Sequence, residues 1–205
     1  MASFTSLLND IYGLTKRPDL VTDTKLALKG ATLKVHSRDF YTKDHYEVGL
    51  AFGTETTIQQ FTPTDSVPLF RHIDYLRKSD VNLSLGNFFD FLTPERSLDR
   101  YQVNKEDVAY ASGNVINIRS STAFQYAILG CWVYPNITED AYSSWIADTL
   151  PFIIELEAAR EIASSTGDVE AAAMYYQLLH GDPRKDDDRG YYAMLDSYIS
   201  TRAAI

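Results

Sequence analysis

The segment from Leu20 to Ser37 limits the possible folds more than any other, because it carries two apolar stripes at helical spacing. The first stripe consists of Leu20, Ala27, Ala31 and Val35, and the second consists of Leu26 and Leu33. Two stripes predict a helix that contacts more than one neighbour. Gly30 lies in the middle of this helix, where glycine costs about 1 kcal/mol relative to alanine. It is either an ordinary weak point or, as we expect, the site of a close helix–helix crossing.

Further helical patterns occur toward both ends of the sequence. Residues 3–12 have the spacing of a short amphipathic helix. We expect it to pack against the helix at residues 20–37 as an antiparallel hairpin. Helical spacing returns from Asn136 onward. There, a longer helix is expected to begin near Pro151 and to stop at Gly167, and Asp168 is expected to cap the next helix.

Strand patterns lie between these helices. Residues 46–52 alternate with the period of two that is typical of a strand, and residues 107–119 predict a hairpin that turns at Gly113. Further strand candidates are residues 57–61, 69–76 and 123–134. A short helix is predicted to begin at Thr93 and to end near Tyr101.

Because helices and strands form separate runs, the sequence predicts an α+β fold. The expected architecture is a helical bundle of N- and C-terminal helices, residues 1–45 and 136–181, with an inserted antiparallel β-region over residues 46–135. Residues 182–205 are expected to form an extended C-terminal tail whose apolar side chains a partner buries. The alternative is that this end is a last helix packed on its own core.

Composition argues against several classes of protein. The formal net charge is −9, and no run of Lys or Arg exceeds two residues, so we expect no sequence-specific or tight binding to nucleic acid. Cys131 is the single cysteine, which excludes an intrachain disulfide and a cysteine-based zinc site. No stretch approaches 18 uninterrupted apolar residues, and the first residues lack the features of a signal peptide, so we expect no membrane association.

The sequence contains no strong catalytic or metal-binding motif. Neither a phosphate-binding glycine motif nor a nucleophile elbow is present. The four histidines, which never occur at metal-ligand spacing, are His36, His45, His72 and His180. The acidic run at residues 186–188 fails the EF-hand pattern, and Cys131 is expected to be a buried thiol. We therefore expect no metal and no cofactor.

Three segments resemble a known family. They are residues 12–44 (beginning YGLTKRPDLV), residues 88–121 (FFDFLTPERSLDRYQVNKEDVAYASGNVINIRSS) and residues 126–162 (YAILGCWVYPNITEDAYSSWIADTLPFIIELEAAREI). In this order they resemble the adaptor proteins of tailed bacteriophages, also called head-to-tail connector or neck proteins, especially those of short-tailed phages. The resemblance spans most of the chain and consists of residue patterns, not chemical motifs.

The resemblance implies a structural, non-enzymatic protein at the head–tail junction of the virion, assembled in the host cytoplasm. Such adaptors form a dodecameric ring of their own copies under the portal protein, contact the tail nozzle or tail tube proteins, and extend the channel through which DNA passes. The C-terminal GYYAMLDSYI resembles a portal-docking tail. The docking residues would be Tyr191, Tyr192, Met194, Leu195, Tyr198 and Ile199. We assign Leu26, Gly30 and Leu33 to packing between subunits.

Two alternatives remain open on the sequence. The chain could be another neck or tail-completion protein, or a tail terminator, which would contact the tail tube and not the portal. It could also be a tail component that degrades peptidoglycan with paired carboxylates. The candidates for such a pair are Glu139, Asp140, Glu155 and Glu157, but no spacing in the sequence defines one.

Overall fold

A computed structural model describes residues 2–93, 106–182, 185 and 189–199. The helix predicted from Thr93 to Tyr101 falls almost entirely outside these residues, as does most of the charged cluster at residues 184–189. The chain forms two compact units, one of residues Met1–Asp44 with Tyr134–Ile205 and the other of residues His45–Val133. We call the first the helical unit and the second the sheet unit.

The α-helices are α1 (Phe4–Thr15), α2 (Val21–Ser37), α3 (Pro63–Ser66), α4 (Trp145–Thr149), α5 (Pro151–Thr166) and α6 (Val169–His180). All of these except α3 belong to the helical unit. Short 3-10 helices lie at Thr42–Asp44, Glu139–Ala141 and Tyr191–Tyr198.

Local signals set most of the helix ends. The Ser3 hydroxyl accepts the Ser6 amide at 3.0 Å and caps α1. Gly167, at φ 79°, ends α5, and the Asp168 carboxylate caps α6, as the sequence predicts. Helix α1 continues three residues beyond the predicted range 3–12, to Thr15, with Gly13 inside it.

Helix α5, and not α2, is the centre of the helical unit. It is buried on nearly every side, through Ile153, Ile154, Leu156, Glu157, Ala158, Ala159, Ile162 and Ala163. The first apolar stripe of α2 faces this core, because Ala27, Ala31 and Val35 are buried. The second stripe does not, since Leu26 is 62% exposed and Leu33 is only half-buried. Helix α2 nevertheless contacts two neighbours within the unit, mainly α5 and less extensively α1.

The strands are β1 (His45–Phe61), β2 (Phe70–Ser79), β3 (Leu85–Phe88), β4 (Asp90–Phe91), β5 (Val108–Ser112) and β6 (Val115–Val133). Strand β6 is central. It pairs with β1 along one edge, and with β5 and then β2 along the other. The predicted hairpin is confirmed, because β5 and β6 pair antiparallel around a turn that contains Gly113 at φ 62°.

The sheet unit has an apolar core of its own, which includes Leu50, Leu76, Phe89, Ile118, Phe124 and Leu129. Cys131 lies in this core as a buried thiol, as expected, and burial raises its pKa to about 11. A thiol with so high a pKa is almost entirely protonated at neutral pH, so Cys131 contributes to packing and not to nucleophilic chemistry.

The expected architecture is wrong, although the fold is α+β. The helices do not flank the chain as a bundle that carries an insertion, because the strands dominate a core of their own and β6, with 19 residues, is the longest described element. The sheet is mixed and not antiparallel, since β4 runs parallel to β5. Residues 191–198 form a 3-10 helix on the helical unit instead of an extended tail. The folded position of this segment could not be predicted from the sequence, because its apolar residues pack against residues that are distant along the chain.

Candidate functional site

The C-terminal segment, residues 190–199, is anchored to the helical unit by Tyr192 and Leu195, which are both buried. The Tyr192 hydroxyl donates to Glu157 Oε2 at 2.9 Å, and the Arg38 guanidinium lies 4.0 Å from the Tyr192 ring centroid. Burial and the neighbouring Glu157 carboxylate both raise the pKa of Tyr192 far above its ordinary value, so the hydroxyl stays protonated. These two residues hold the segment in place and are not available to a partner.

Glu157 is the buried acceptor on which this anchor depends. Burial pushes its pKa upward, but hydrogen bonds from Arg160 and Lys34 outweigh that effect and lower the pKa. Arg160 Nη2 donates to Glu157 Oε1 at 2.6 Å, and Lys34 Nζ donates to the same oxygen. Glu157 is therefore an ionised carboxylate with three donors, which offsets the cost of burying its charge.

Of the remaining candidate docking residues, three contact other residues of the helical unit and one is exposed. The Tyr191 ring lies 4.7 Å from the Phe152 ring centroid, and the Tyr198 ring lies 4.9 Å from that of Trp145. Ile199 forms an isolated β-bridge with the backbone of residue 41. Met194 is different, because it is 48% exposed.

Met194 borders a groove between α6 and the C-terminal segment that has both apolar and polar lining residues. The groove has a volume of about 530 Å³ and is lined by Met174, Gln177, Leu178, Arg189, Gly190, Tyr191 and Met194. We call it the methionine groove. Met174 on α6 is 50% exposed, so both methionines present flexible, polarizable side chains that adapt to an incoming apolar surface. The groove can bind an apolar side chain or a short segment of a partner.

Gly190 makes this arrangement possible. It adopts a φ of 64°, and a Cβ at this position would overlap the backbone of residues 179–181. A glycine is thus required where the chain turns back onto the end of α6. The sequence showed a glycine between a charged cluster and an apolar segment, but gave no sign of this close approach.

The three residues assigned to subunit packing lie at the outer side of α2. Leu26 and Gly30 are exposed, and Leu33 is half-buried. Within the unit, no backbone approaches Gly30 closely, because a Cβ there would meet only the Glu161 carboxylate, at 3.5 Å. The close helix–helix crossing expected at Gly30 is therefore not formed among the residues that the structure describes, and a contact with another subunit remains a prediction.

A buried polar network was not anticipated from the sequence. His36 Nε2 lies 2.9 Å from Ser144 Oγ, and His36 Nδ1 lies 2.9 Å from Asp44 Oδ2. Trp145 Nε1 donates to Asp44 Oδ1 at 2.7 Å. The order Ser–His–Asp matches a hydrolase triad, but all three side chains are buried, and the Ser144 hydroxyl also accepts the Ala147 amide as the cap of α4.

This network joins elements and does not present a nucleophile. A catalytic serine must reach a substrate carbonyl, whereas Ser144 is enclosed and the methionine groove is lined by other residues. It connects the end of α2, the 3-10 helix Thr42–Asp44 and the start of α4. Because the His36–Ser144 and Asp44–Trp145 contacts span 108 and 101 residues, no spacing rule could have identified the network.

Among residues 2–93, 106–182, 185 and 189–199, no three or more His, Cys, Asp and Glu side chains are grouped so that they could hold a metal ion. In the same part of the chain, no helix has the length and apolar character needed to cross a membrane.

Comparison with known protein families finds none that matches the sequence, and comparison with curated proteins finds no significant relative.

Proposed function

We propose that this chain is a structural protein of the virion neck, an adaptor that forms a ring between the portal vertex of the head and the tail and that extends the DNA channel. The observation that carries the proposal is the methionine groove, which lies at the segment whose sequence resembles a portal-docking tail. The resemblance of residues 12–44, 88–121 and 126–162 supports the same role.

Because the C-terminal segment is folded onto the helical unit, the residues proposed to dock differ from those that the sequence indicates. Tyr192 and Leu195 are bound within the helical unit, so a partner would contact Met194 and Tyr191 together with Met174 and Leu178 of α6. Such a surface is built from two elements, so a partner can insert an apolar anchor between them.

Charge and exposed surface are consistent with a channel-forming ring. A chain with a net charge of −9 presents little attraction to the DNA backbone, and DNA that must move through a channel would be retained by a strongly basic wall. Leu26, with 62% of its surface exposed, lies on the side of α2 that is left free for a neighbouring subunit. The same ring would place the protein at the head–tail junction.

The test is binding of the purified chain to the portal protein of the same phage, measured by co-elution and titration. Met194→Asp places a charge in the groove without touching the buried anchor, and should weaken portal binding at least about tenfold. Val169→Asp is the matched control, because Val169 is an exposed apolar residue of α6 outside the groove lining, and its binding should be unchanged.

Three outcomes would contradict the proposal in different ways. Equal portal binding by the Met194→Asp and Val169→Asp chains would show that the groove is not the docking site. Binding of the unaltered chain to tail tube protein and not to portal would favour a tail-completion or tail-terminator role. Clearing of cell-wall material in a zymogram would favour a peptidoglycan hydrolase. Deletion of the whole C-terminal segment is a poorer test, because it would remove core residues Tyr192 and Leu195.

A further inference from the structure

The methionine groove concentrates the thioether sulfur of the chain in one place. The sequence contains three methionines, and two of them, Met174 and Met194, line this groove. Met174 belongs to α6 and Met194 to the C-terminal segment, so each wall of the groove carries one of them. Their exposed fractions are 50% and 48%. Both side chains are therefore accessible to a small reagent in solution, unlike methionines that fill a core.

Neither of these methionines belongs to the core of the helical unit. On α6 the buried side chains are those of Tyr175 and Leu179. On the C-terminal segment they are those of Tyr192 and Leu195. A chemical change at the two methionines would therefore alter the lining of the groove without removing a core contact.

The thiol of Cys131 is protected from the same kind of chemistry. It is fully buried in the sheet unit, and burial raises its pKa to about 11. Oxidation of a cysteine requires an accessible thiolate, which is almost absent at neutral pH when the pKa is this high. A thioether needs no deprotonation, so its reactivity is set by its exposure. Among Cys131, Met174 and Met194, an oxidant would thus react with the two groove residues.

We infer that Met174 and Met194 form an oxidation-sensitive site, at which a peroxide converts both thioethers to sulfoxides and so prevents a partner from entering the groove. The oxidant is hydrogen peroxide or another hydroperoxide, supplied from outside the protein. In each reaction the sulfur lone pair attacks one peroxide oxygen, so that an S–O bond forms and the O–O bond breaks. The sulfur is oxidised and the peroxide reduced, and the S–OH proton passes to the departing oxygen, which leaves hydrogen peroxide as water.

A sulfoxide changes the groove in two ways. It turns a flexible apolar side chain into a polar one, and an apolar partner side chain can pack against it only by desolvating the new oxygen. The oxygen is also a hydrogen-bond acceptor, and Gln177 and Arg189, which line the same groove, both carry donors. These donors can hold the oxidised side chain in the space that a partner would occupy. Oxidation therefore opposes docking both through polarity and through occupancy.

The consequence of this switch rests on the proposed function, because docking is what oxidation prevents, whereas the reactivity of the site does not. The change is reversible, since methionine sulfoxide reductases restore the thioether. An oxidant would inactivate the free chain, and a partner that fills the groove would shield both sulfur atoms. Docking and oxidation of these two residues are therefore mutually exclusive.

Peptide mapping by mass spectrometry tests the chemistry. The purified full chain is treated with graded doses of hydrogen peroxide, and Met174 and Met194 should each gain one oxygen atom at a rate within about tenfold of that of a methionine in a short peptide. Cys131 should stay unmodified for as long as the chain is folded. Melting curves by circular dichroism should be unchanged by the oxidation, because the core contacts are retained.

The binding measurement compares each chain with itself before and after treatment. Oxidation of the unaltered chain should weaken its binding to the portal protein at least about tenfold, and methionine sulfoxide reductases A and B together, one for each epimer, should restore it. The matched control carries both Met174→Leu and Met194→Leu, which keep apolar side chains of similar volume but remove the sulfur from the groove. Its binding, whatever its initial strength, should not respond to peroxide. Met1 is present in both chains, so its oxidation cannot explain a difference between them.

A second measurement does not need the portal. Anilinonaphthalene sulfonate is an aromatic anion whose fluorescence reports binding to accessible apolar surface. It is titrated against the same chains, untreated, oxidised and reduced again. Its affinity for the unaltered chain should fall at least about tenfold on oxidation and recover with the reductases, whereas its affinity for the leucine chain should not change.

Each result supports or overturns the site. Selective oxidation of both methionines with a reversible loss of binding supports it. The site is overturned if either methionine resists peroxide, if the oxidised chain binds as before, if the leucine chain loses binding equally, or if oxidation unfolds the chain. A chain that binds the fluorescent probe but not the portal removes the proposed function alone, and the probe then decides the switch. A chain that binds neither before treatment overturns both.

Discussion

Asp107 provides a direct test of the polar contacts that hold the sheet unit together. It lies immediately before β5 at a φ of 56°, and its carboxylate accepts hydrogen bonds from the Ser121 amide at 3.1 Å and the Ser121 hydroxyl at 2.7 Å. Lys78 Nζ lies 2.6 Å from Asp107 Oδ1. The Lys78 hydrogen bond, followed by those of Ser121, lowers the pKa of Asp107 to about 2.

The substitution Asp107→Asn removes the charge but keeps a residue that tolerates a positive φ. A pKa near 2, against an ordinary value of 3.8, corresponds to roughly 2.4 kcal/mol in the free energy of unfolding. Because 33% of the side chain is exposed, solvent screening reduces the expected loss to about 1–2 kcal/mol at pH 7. The pKa is lower in the folded chain, so this stabilisation is complete above about pH 5 and is lost as the pH falls toward 2.

The assay is urea unfolding of the original and Asp107→Asn chains at several values of pH between 7 and 3. Both chains carry Trp145→Phe, so that the fluorescence of Trp132 in the sheet unit reports the transition. The difference between the chains should be constant near neutral pH and should shrink below about pH 4. Glu55→Gln, at an exposed position of β1, is the control and should show little difference. A gap of equal size at all pH values, or no gap at pH 7, would refute the reasoning.

Three further substitutions test individual contacts, each by urea or thermal unfolding. Gly130→Ala should cost more than about 2 kcal/mol because its methyl group would overlap the Tyr75 ring, and the cost should largely disappear in a Tyr75→Ala chain; persistence there would contradict the steric explanation. Tyr192→Phe should cost about 1–2 kcal/mol by removing a donor from buried Glu157, and an unchanged stability would mean that the other donors suffice. Gly30→Ala should stabilise the chain by about 0.5–1 kcal/mol, since the new methyl group makes only an ordinary contact; a loss of stability would indicate a closer neighbour.

Features set by neighbouring residues could be predicted from the sequence. The left-handed Gly167, the Asp168 cap and the hairpin at Gly113 each depend on a few adjacent positions. The continuity of β1 could not be predicted from the sequence, because residues 53–57 interrupt the alternation of apolar residues. A shift in register between Ala51 and Thr56 allows the strand to continue beside β6 through that interruption.

Features that depend on distant partners were outside the reach of pattern analysis. Tyr192 and Met194 are both apolar residues of one segment, yet one is buried against Glu157 and the other is exposed. Which of the two side chains is buried depends on the position of α5. Similarly, Arg77 directly follows the predicted strand 69–76, without any sign that its guanidinium would lie 5.4 Å from the Tyr75 ring centroid and 5.6 Å from that of Phe88.

The pairing of His45 with Trp132 has a consequence for the order of folding, because it brings the first and last strands of the sheet unit together at their ends. Residues 45–133 separate the two parts of the helical unit, and closing an unstructured loop of roughly 90 residues would cost about 4 kcal/mol. A sheet unit that folds first removes most of this entropic cost, since its own hydrogen bonds already hold its two ends near each other. During synthesis α1 and α2 are made long before α5, so they can pack against α5 only after part of the last third of the chain has emerged.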